Sequence, residues 1–301
     1  MSIFDLRAGQ RVFEIGGVEV GGVPGRNPTV LVGSIFHRGH GIVLDEERGL
    51  FDRGRAEELV SRQDERSDVT GNPCMLDVEG STSEALARYL DFAAGATDAP
   101  LLMGGPTVEV RRAGLGRVEE AGLGARVVYN SLMPGCGDEE MRHIREAGVE
   151  SAVLLAYTVA DMTSGGRVAA LTGLLEAAGR SGIEKPLLDT FVMDVPSLGA
   201  ALRALADVKS ELGLPAGCSP HNAVGLWRGL RRKMGSKAVL PVIASASAFA
   251  AAAGADFILY GPIDRADVVF PAVAMVDAAY AFPRLQEGVR LSRGHPFFRI
   301  A

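Results

Sequence analysis

Short apolar runs alternate with longer stretches of helical period along almost the whole chain. The short runs are 29–36 (TVLVGSIF), 74–78 (CMLDV), 100–103 (PLLM), 126–130 (RVVYN), 151–157 (SAVLLAY), 185–189 (KPLLD), 215–218 (PAGC) and 257–260 (FILY). They are close to continuously apolar rather than alternating, as in strands buried on both faces of a parallel sheet. Between them, 54–70 places Ala56, Leu59 and Val60 on one helical face, and Ser81 or Thr82 stands ready to cap a helix over 82–94. Segments 138–147, 166–180, 197–212, 222–233 and 264–282 follow the same logic. A regular β-then-α order requires a parallel sheet. Eight units in 301 residues predict an α/β fold of one (β/α)8 TIM barrel rather than an open doubly wound sheet.

Two segments stand outside the repeat. Residues 11–22 (RVFEIGGVEVGG) alternate with period two about Gly16-Gly17, which predicts an N-terminal β-hairpin closing the bottom of the barrel. Residues 237–253 read as an additional strand and helix before the eighth barrel strand. The tail, 290–301, is too short for a second domain and no linker interrupts the chain, so 1–301 reads as one domain.

Composition narrows the function class. Hydrophobic residues make up 47% and charged residues 23%, enough for a large core. A net charge of −6 argues against nucleic-acid binding, which relies on Lys and Arg neutralising phosphates. Arg228, Arg231, Arg232 and Lys233 cluster, either as the solvated end of a helix or as a docking patch for an acidic partner. Met1-Ser2-Ile3-Phe4-Asp5 lacks the basic start and apolar run of a signal peptide, and no uncharged apolar run reaches the ~18 residues of a membrane span. Three cysteines, Cys74, Cys136 and Cys218, fit a reducing compartment better than a disulfide framework. The expectation is a cytoplasmic protein with no membrane insertion.

In such a barrel, polar residues at the C-terminal ends of strands face the working site. In order they are His37, Asp77 and Glu79, Gly104, Asn130 and Ser131, Thr158, Asp189 and Thr190, Ser219 with His221 and Asn222, and Tyr260. Carboxylates and amides dominate, with no basic residue beside them in sequence. That ring suits a neutral heterocycle rich in hydrogen-bonding edges, not a phosphate, which calls for Arg, Lys or bare N–H groups. Gly105-Pro106 interrupts any glycine-rich phosphate loop. Asn130 and Asn222 also stand at strand-to-helix junctions, where an amide serves as a turn or cap residue; Asp189 would serve equally to cap a loop, and His221 as a structural histidine. The pairs Cys218/His221 and Cys136/His143 lack the spacing of a zinc site, and no base is placed beside any cysteine.

Longer words of the sequence carry a resemblance. They are Gly71-Asn72-Pro73-Cys74-Met75, Thr97-Asp98-Ala99-Pro100, Tyr129-Asn130-Ser131, Ser219-Pro220-His221-Asn222, the run GADFILYGPI over 254–263, and VFPAVAMVD over 269–277. From about Arg11 to Tyr280 the chain resembles the H subunit of tetrahydromethanopterin S-methyltransferase and its bacterial relatives, the methylcobalamin:tetrahydrofolate methyltransferases. The resemblance implies a pterin-binding barrel that passes a methyl group between a corrinoid on a separate protein and N5 of a tetrahydropterin, most simply tetrahydrofolate. It implies that Asn130 and Asp189 contact the pterin, with Asp77 and Ser131 beside them, and that Asn222 lies near N5 as the catalytic amide. It also implies a corrinoid protein as partner, and a homodimer. An amide at N5 would act by stabilising charge that develops in the transition state, and no side-chain nucleophile is needed, because the corrinoid carries that chemistry.

One departure stands out. The family's aspartate at the end of the third barrel strand is Gly104 here, while the second ends Asp77-Val78-Glu79, with Glu79 where an apolar residue is expected. An ionised Glu79 that holds the pterin edge in place of the lost aspartate is one reading; a solvated loop residue is the other. A dihydropteroate-synthase-like condensation is disfavoured by the lack of Arg and Lys at the strand ends, and a non-catalytic binding or scaffold protein is the reading from another class.

Overall fold

The structure is a computed structural model describing Phe4 and residues 6–300; Met1, Ser2, Ile3 and Asp5, on which the signal-peptide reading partly rests, lie outside the described residues. The strands are β1 (Val12–Ile15), β2 (Val18–Gly21), β3 (Val30–Ile35), β4 (Val43–Asp45), β5 (Leu50–Phe51), β6 (Cys74–Glu79), β7 (Leu101–Gly104), β8 (Val127–Leu132), β9 (Ser151–Leu155), β10 (Lys185–Asp189), β11 (Ala216–Cys218) and β12 (Phe257–Pro262). The eight strands β3 and β6 to β12 pair in parallel and close on themselves, β12 against β3, as the alternation predicts. β1–β2 and β4–β5 are two short antiparallel hairpins.

Each barrel strand sends alternate side chains inward and outward. Outward residues such as Leu31, Ile35, Leu76, Met103 and Tyr129 join the helices in one large core. Inward residues sort by height. Val30, Val32, Met75, Leu102, Val128, Val153, Leu187 and Phe257 fill the lower barrel, and Phe13, Ile15 and Val20 of the β1–β2 hairpin pack into the same cluster from below. The hairpin turns on Gly16 and Gly17, both at positive φ, as a tight two-residue turn of this hand requires. Further up, the inward series turns polar: Ser34 follows Val30 and Val32, Asp77 and Glu79 follow Met75, Asn130 follows Val128, and Asp189 follows Leu187. Each fully buried Val, Leu or Phe stabilises by about 1.5–3 kcal/mol, so the lower layers offset the cost of burying carboxyl groups above them.

The helices are α1 (Arg53–Thr70), α2 (Ser83–Ala96), α3 (Val108–Glu120), α4 (Asp138–Glu146), α5 (Ser164–Arg180), α6 (Val195–Glu211), α7 (His221–Leu226), α8 (Arg228–Met234), α9 (Val239–Ala252), α10 (Ala266–Gln286) and α11 (Pro296–Arg299). Thr82 caps α2 by accepting from the Ala85 N–H, at one of the two positions predicted. α3 occupies a segment to which the sequence pattern assigns no element; its two glycines and β-branched start weaken the helical signal. Residues 237–253 form no strand: a 3₁₀ turn leads directly into α9, and the β-branched run Val239–Ile243 is helical. Pro241 fits there because the first turn of a helix leaves N–H groups without partners. The helix predicted over 222–233 breaks at Trp227 into α7 and α8, and the tail ends in α11.

One helix comes near the apolar runs that the sequence reading excludes, although charged residues such as Asp277 and Arg284 interrupt it. Ile263–Gln286 contains an 18-residue window of mean hydropathy 1.4, long and apolar enough by composition to cross a membrane. In the fold it contains the eighth barrel helix. Val269, Phe270, Val273 and Ala274 are buried, and the buried Asp277 carboxylate accepts from the Thr29 N–H at 2.9 Å and from Asn72 Nδ2 at 2.6 Å.

Candidate functional site

The polar layer encloses a cavity of about 220 Å³ at the C-terminal mouth, walled by Asp77, Glu79 and Asn130 on one side and Asp189, His221 and Asn222 on the other. Leu155, Phe191 and Leu259 add apolar surface. Five of the six site residues expected from sequence therefore meet. The sixth, Ser131, lines a separate side cavity instead, where Glu79 and Asn130 also appear.

The first wall is a hydrogen-bonded carboxyl pair. Asp77 accepts from Ser34 Oγ at 2.9 Å and from Asn130 Nδ2 at 3.0 Å. β3 and β6 are in register here, with Ser34 opposite Asp77, which is how a serine in an otherwise apolar run reaches the carboxylate. Glu79, two residues on and on the same face, hydrogen-bonds to Asp77. Burial raises both acids. Glu79 is pushed up to about 8, first by burial and then by the neighbouring Asp77 charge. Burial and the Asp77 charge thus favour the protonated form of Glu79 in the free protein, where the sequence reading has an ionised carboxylate. Two adjacent carboxyls that share a hydrogen bond keep a proton rather than face each other charged.

Glu79 does lie beside Gly104. The two are register partners across β6–β7, and a Cβ at position 104 would stand 3.7 Å from Glu79 Cγ and 3.6 Å from the Asn130 carbonyl oxygen, ordinary contact distances. The glutamate stem runs past the ground that a side chain at 104 would occupy.

The second wall is fixed by the backbone. Asp189 Oδ1 accepts from the Phe191 N–H at 2.7 Å, an aspartate bonding two residues ahead, and Oδ2 accepts from Ser219 Oγ at 3.1 Å. Burial still pushes Asp189 up to about 6. Phe191 sits at φ 57, a left-handed conformation costly for a phenylalanine, and packs edge-on to Tyr157. Beneath it, buried Arg167 donates to the Thr190 carbonyl at 3.0 Å and places its guanidinium against the Phe191 ring. Asn222 Nδ2 donates to the Val192 carbonyl at 3.1 Å, which leaves Oδ1 and one N–H without partners among the described residues. His221 Nδ1 lies 2.9 Å from the Leu259 carbonyl; burial pushes the ring down to about 4, so it is neutral, and Nδ1–H as donor makes Nε2 an acceptor.

Other strand-end residues go elsewhere. Tyr260 points outward and hydrogen-bonds Gln63 of α1, because it falls on the outward phase of β12. Thr190 bonds the Gly217 carbonyl, and His37 stacks on His40. Ser34, Phe191 and Arg167 are not singled out by the strand-end pattern. Ser34 is legible all the same, since it keeps the inward phase of Val30 and Val32; the other two depend on a loop conformation that no local pattern announces. Among the described residues no group of three or more His, Cys, Asp or Glu is placed to hold a metal ion.

Carboxyls, amides and a neutral imidazole around apolar surface define a barrel that grips a flat ring by its hydrogen-bonding edges. The chain belongs to the tetrahydromethanopterin S-methyltransferase MtrH subunit family, whose model matches residues 8–291. It is 41% identical over 290 residues to the H subunit of tetrahydromethanopterin S-methyltransferase from Methanopyrus kandleri, covering 89% of this chain and 90% of that protein. The corresponding protein of Methanocaldococcus jannaschii is 38% identical, covering 99% of this chain and 100% of that protein. The H subunit of a putative mtx methyltransferase from Methanosarcina mazei is 39% identical, covering 93% and 94%. Solved structures of similar fold include the Yersinia pestis dihydropteroate synthase with a pterine-sulfa conjugate, at TM-score 0.62, 14% identity and coverage of 91% of this chain and 100% of that one. The dihydropteroate synthase of Xanthomonas albilineans with 4-aminobenzoic acid gives TM-score 0.61, 19% identity and coverage of 90% and 98%. At such identities these two bear on the fold alone.

Proposed function

We propose that the chain moves a methyl group between a corrinoid held by a partner protein and N5 of a tetrahydropterin, tetrahydrofolate or tetrahydromethanopterin, seated in the inner cavity. The observation that carries this reading is the donor–acceptor set that the two walls bring to one small cavity. A pterin's pyrimidine edge offers N–H donors beside a carbonyl acceptor. Asp189 accepts from that edge, as a carboxylate whose position is already set by Phe191 N–H and Ser219. Glu79, whose one O–H goes to Asp77, presents its other oxygen as an acceptor to the pterin N–H groups, and Asn130 steadies Asp77 behind it. Asn222, anchored on the Val192 carbonyl, hydrogen-bonds at N5 as charge develops there, at no cost of reorganisation. The corrinoid, when its carrier docks, supplies cobalt as the methyl carrier.

The rim offers a place for that carrier. No acidic residue occurs between Glu211 and Asp256, in a chain of net charge −6, while Arg228, Arg231, Arg232, Lys233 and Lys237 fall inside that stretch. None of the five forms an ion pair among the described residues. Leu226, Trp227 and Met234 are 56%, 38% and 62% exposed beside them. Cations interleaved with exposed aromatic and aliphatic residues suit an acidic protein face. α7 and α8 follow directly from Asn222, so a carrier docked here faces N5. The homodimer and the cytoplasmic location belong to the same reading.

The test is titration of the purified protein with tetrahydrofolate and with tetrahydromethanopterin, followed by turnover with methylcobalamin read from its visible absorbance. Binding with turnover supports the reading. Failure to bind either pterin overturns it, and binding without turnover leaves a pterin-binding protein with no methyltransferase activity.

A further inference from the structure

Beside the inner cavity lies a larger one of about 530 Å³, reached past Glu79 and Asn130, which line both. One side is nearly bare backbone, from Gly80, Gly104 and Gly105. Two of those glycines cannot be replaced without collision. A Cβ on Gly80 would meet Leu86 at 2.5 Å, and one on Gly105 would meet Val110 at 2.8 Å. The opposite side is aromatic: Phe36 and Tyr89 stack with centroids 4.1 Å apart and planes 10° from parallel. Tyr89 is buried, yet its hydroxyl has no hydrogen-bond partner among the described residues. A buried hydroxyl left unpaired costs about 1–3 kcal/mol, which a protein rarely sustains without a use for the group. Arg38 stands exposed at the rim with no ion-pair partner among the described residues, whereas Glu46 is held by the Gly39 N–H at 2.9 Å.

Size separates the two cavities by role. The inner one, at about 220 Å³, falls below the roughly 300–1,000 Å³ of a pocket for a whole drug-sized ligand, and the outer one falls within it. A tetrahydropterin has a small bicyclic head and a longer arm built on an aromatic amine, ending in anionic groups. We propose that the side cavity is the subsite for this arylamine arm: its aromatic ring packs against the Phe36–Tyr89 stack, the Tyr89 hydroxyl donates to an acceptor on the arm, and Arg38 meets its anionic end. The inference rests on the pterin reading of the inner cavity.

The two readings fail differently in one experiment. Calorimetric titration of the full chain compares 6-methyltetrahydropterin, which is the head without the arm, with tetrahydrofolate and tetrahydromethanopterin, which carry it. In the wild type the arm strengthens binding at least tenfold. Tyr89→Phe and Arg38→Ala each weaken binding of the arm-bearing pterins about three- to tenfold, the range for one hydrogen bond or exposed ion pair, and leave the armless head unchanged. Thermal melting controls for a change in the fold. Tyr89→Phe removes an unpaired hydroxyl and keeps the ring stack, so it melts at or above the wild-type temperature. If the head binds but the arm adds nothing, or the variants weaken head and arm-bearing ligands alike, the subsite is refuted while the head pocket stands. If the head itself does not bind, the pterin reading falls and this inference with it.

Discussion

The two walls of the mouth are built on opposite principles. On the β10–β11 side, Asp189 and Asn222 are tied to backbone groups, the Phe191 N–H and the Val192 carbonyl, and Arg167 braces the loop from below. That wall is set before any ligand arrives. On the β3–β6–β8 side, side chains bond mainly to one another: Ser34 and Asn130 to Asp77, and Glu79 to the same carboxyl. That wall is held by a shared proton, so its charge depends on pH and its geometry on which acid carries the proton. A preorganised wall is where transition-state charge is stabilised, while an adaptable one accommodates and selects a ring. The rigid wall should therefore govern turnover, and the adaptable wall affinity and its pH dependence.

The largest effect expected is at Asn222. Asn222→Ala should lower kcat for methyl transfer from methylcobalamin by about 10²–10³-fold, on the order of 2–4 kcal/mol, while tetrahydrofolate affinity changes little. Losing affinity rather than turnover would erase the distinction between the walls. Equal kinetics for variant and wild type would remove Asn222 from the reaction.

Next comes Glu79. Glu79→Ala should weaken tetrahydrofolate binding by about 1–3 kcal/mol, because Asp77 and the pterin edge lose a common partner. The double change Glu79→Val with Gly104→Asp should recover binding, since a side chain at 104 meets only ordinary contacts. Unchanged affinity in Glu79→Ala would show that this wall is not part of the pterin site.

The rim lies outside both walls and gives a control. Reversing charge with Arg231→Glu, Arg232→Glu and Lys233→Glu together should slow transfer from a corrinoid-loaded carrier protein by about tenfold at low salt, and flatten its salt dependence. Transfer from free methylcobalamin should not change. A parallel loss with both donors would place the cluster in the fold rather than the interface.

Barrel, hairpin and the inward-facing polar series are all legible in the sequence, because strand alternation and β-then-α order are local patterns repeated eight times. Ser34 is legible in principle by the same phase count. What the pattern hides has physical causes. Segment 237–253 looks like a strand by its β-branched residues, yet a proline in a first helical turn and a following run of alanines favour a helix. Tyr260 lies on the outward phase of β12, which runs on to Pro262, past the end that the apolar run 257–260 marks. Glu79 stands out in the sequence, but its protonation depends on Asp77 beside it and on burial from other strands, neither of which a linear order of residues contains.

That protonation supports the smallest and most diagnostic prediction. Glu79 has a folded value of about 8, raised from 4.5. An acid raised on folding contributes stability that is fully present below its unfolded value and is lost as pH rises through the folded one. Asp189 and Asp277 have the same sign but are pushed only to about 6, so most of their change is complete by pH 6.5. His40, His221 and His295 have the opposite sign. They are lowered from 6.5 to about 4, so their contribution is lost on acidification and is still rising just above pH 6.5, where the half-protonated unfolded rings lose their protons. From pH 6.5 to 8 the difference between wild type and a variant that cannot ionise at position 79 therefore isolates the Asp77–Glu79 pair. Wild-type stability, measured by urea unfolding of the ligand-free protein, should fall relative to Glu79→Gln across this range by on the order of 1 kcal/mol, the difference having a slope no steeper than the ~1.4 kcal/mol per pH unit of a single proton. Glu79→Gln keeps the shape and a donor group but cannot ionise, so its own stability should rise slightly over the same range as the unfolded histidines lose their protons. Saturating tetrahydrofolate should steepen the wild-type curve toward the full one-proton slope if the pterin edge engages protonated Glu79, because bound ligand keeps that proton on the folded protein to higher pH. Identical slopes in wild type and Glu79→Gln would show that the adaptable wall holds no such proton, and the contrast between the two walls would fail with it.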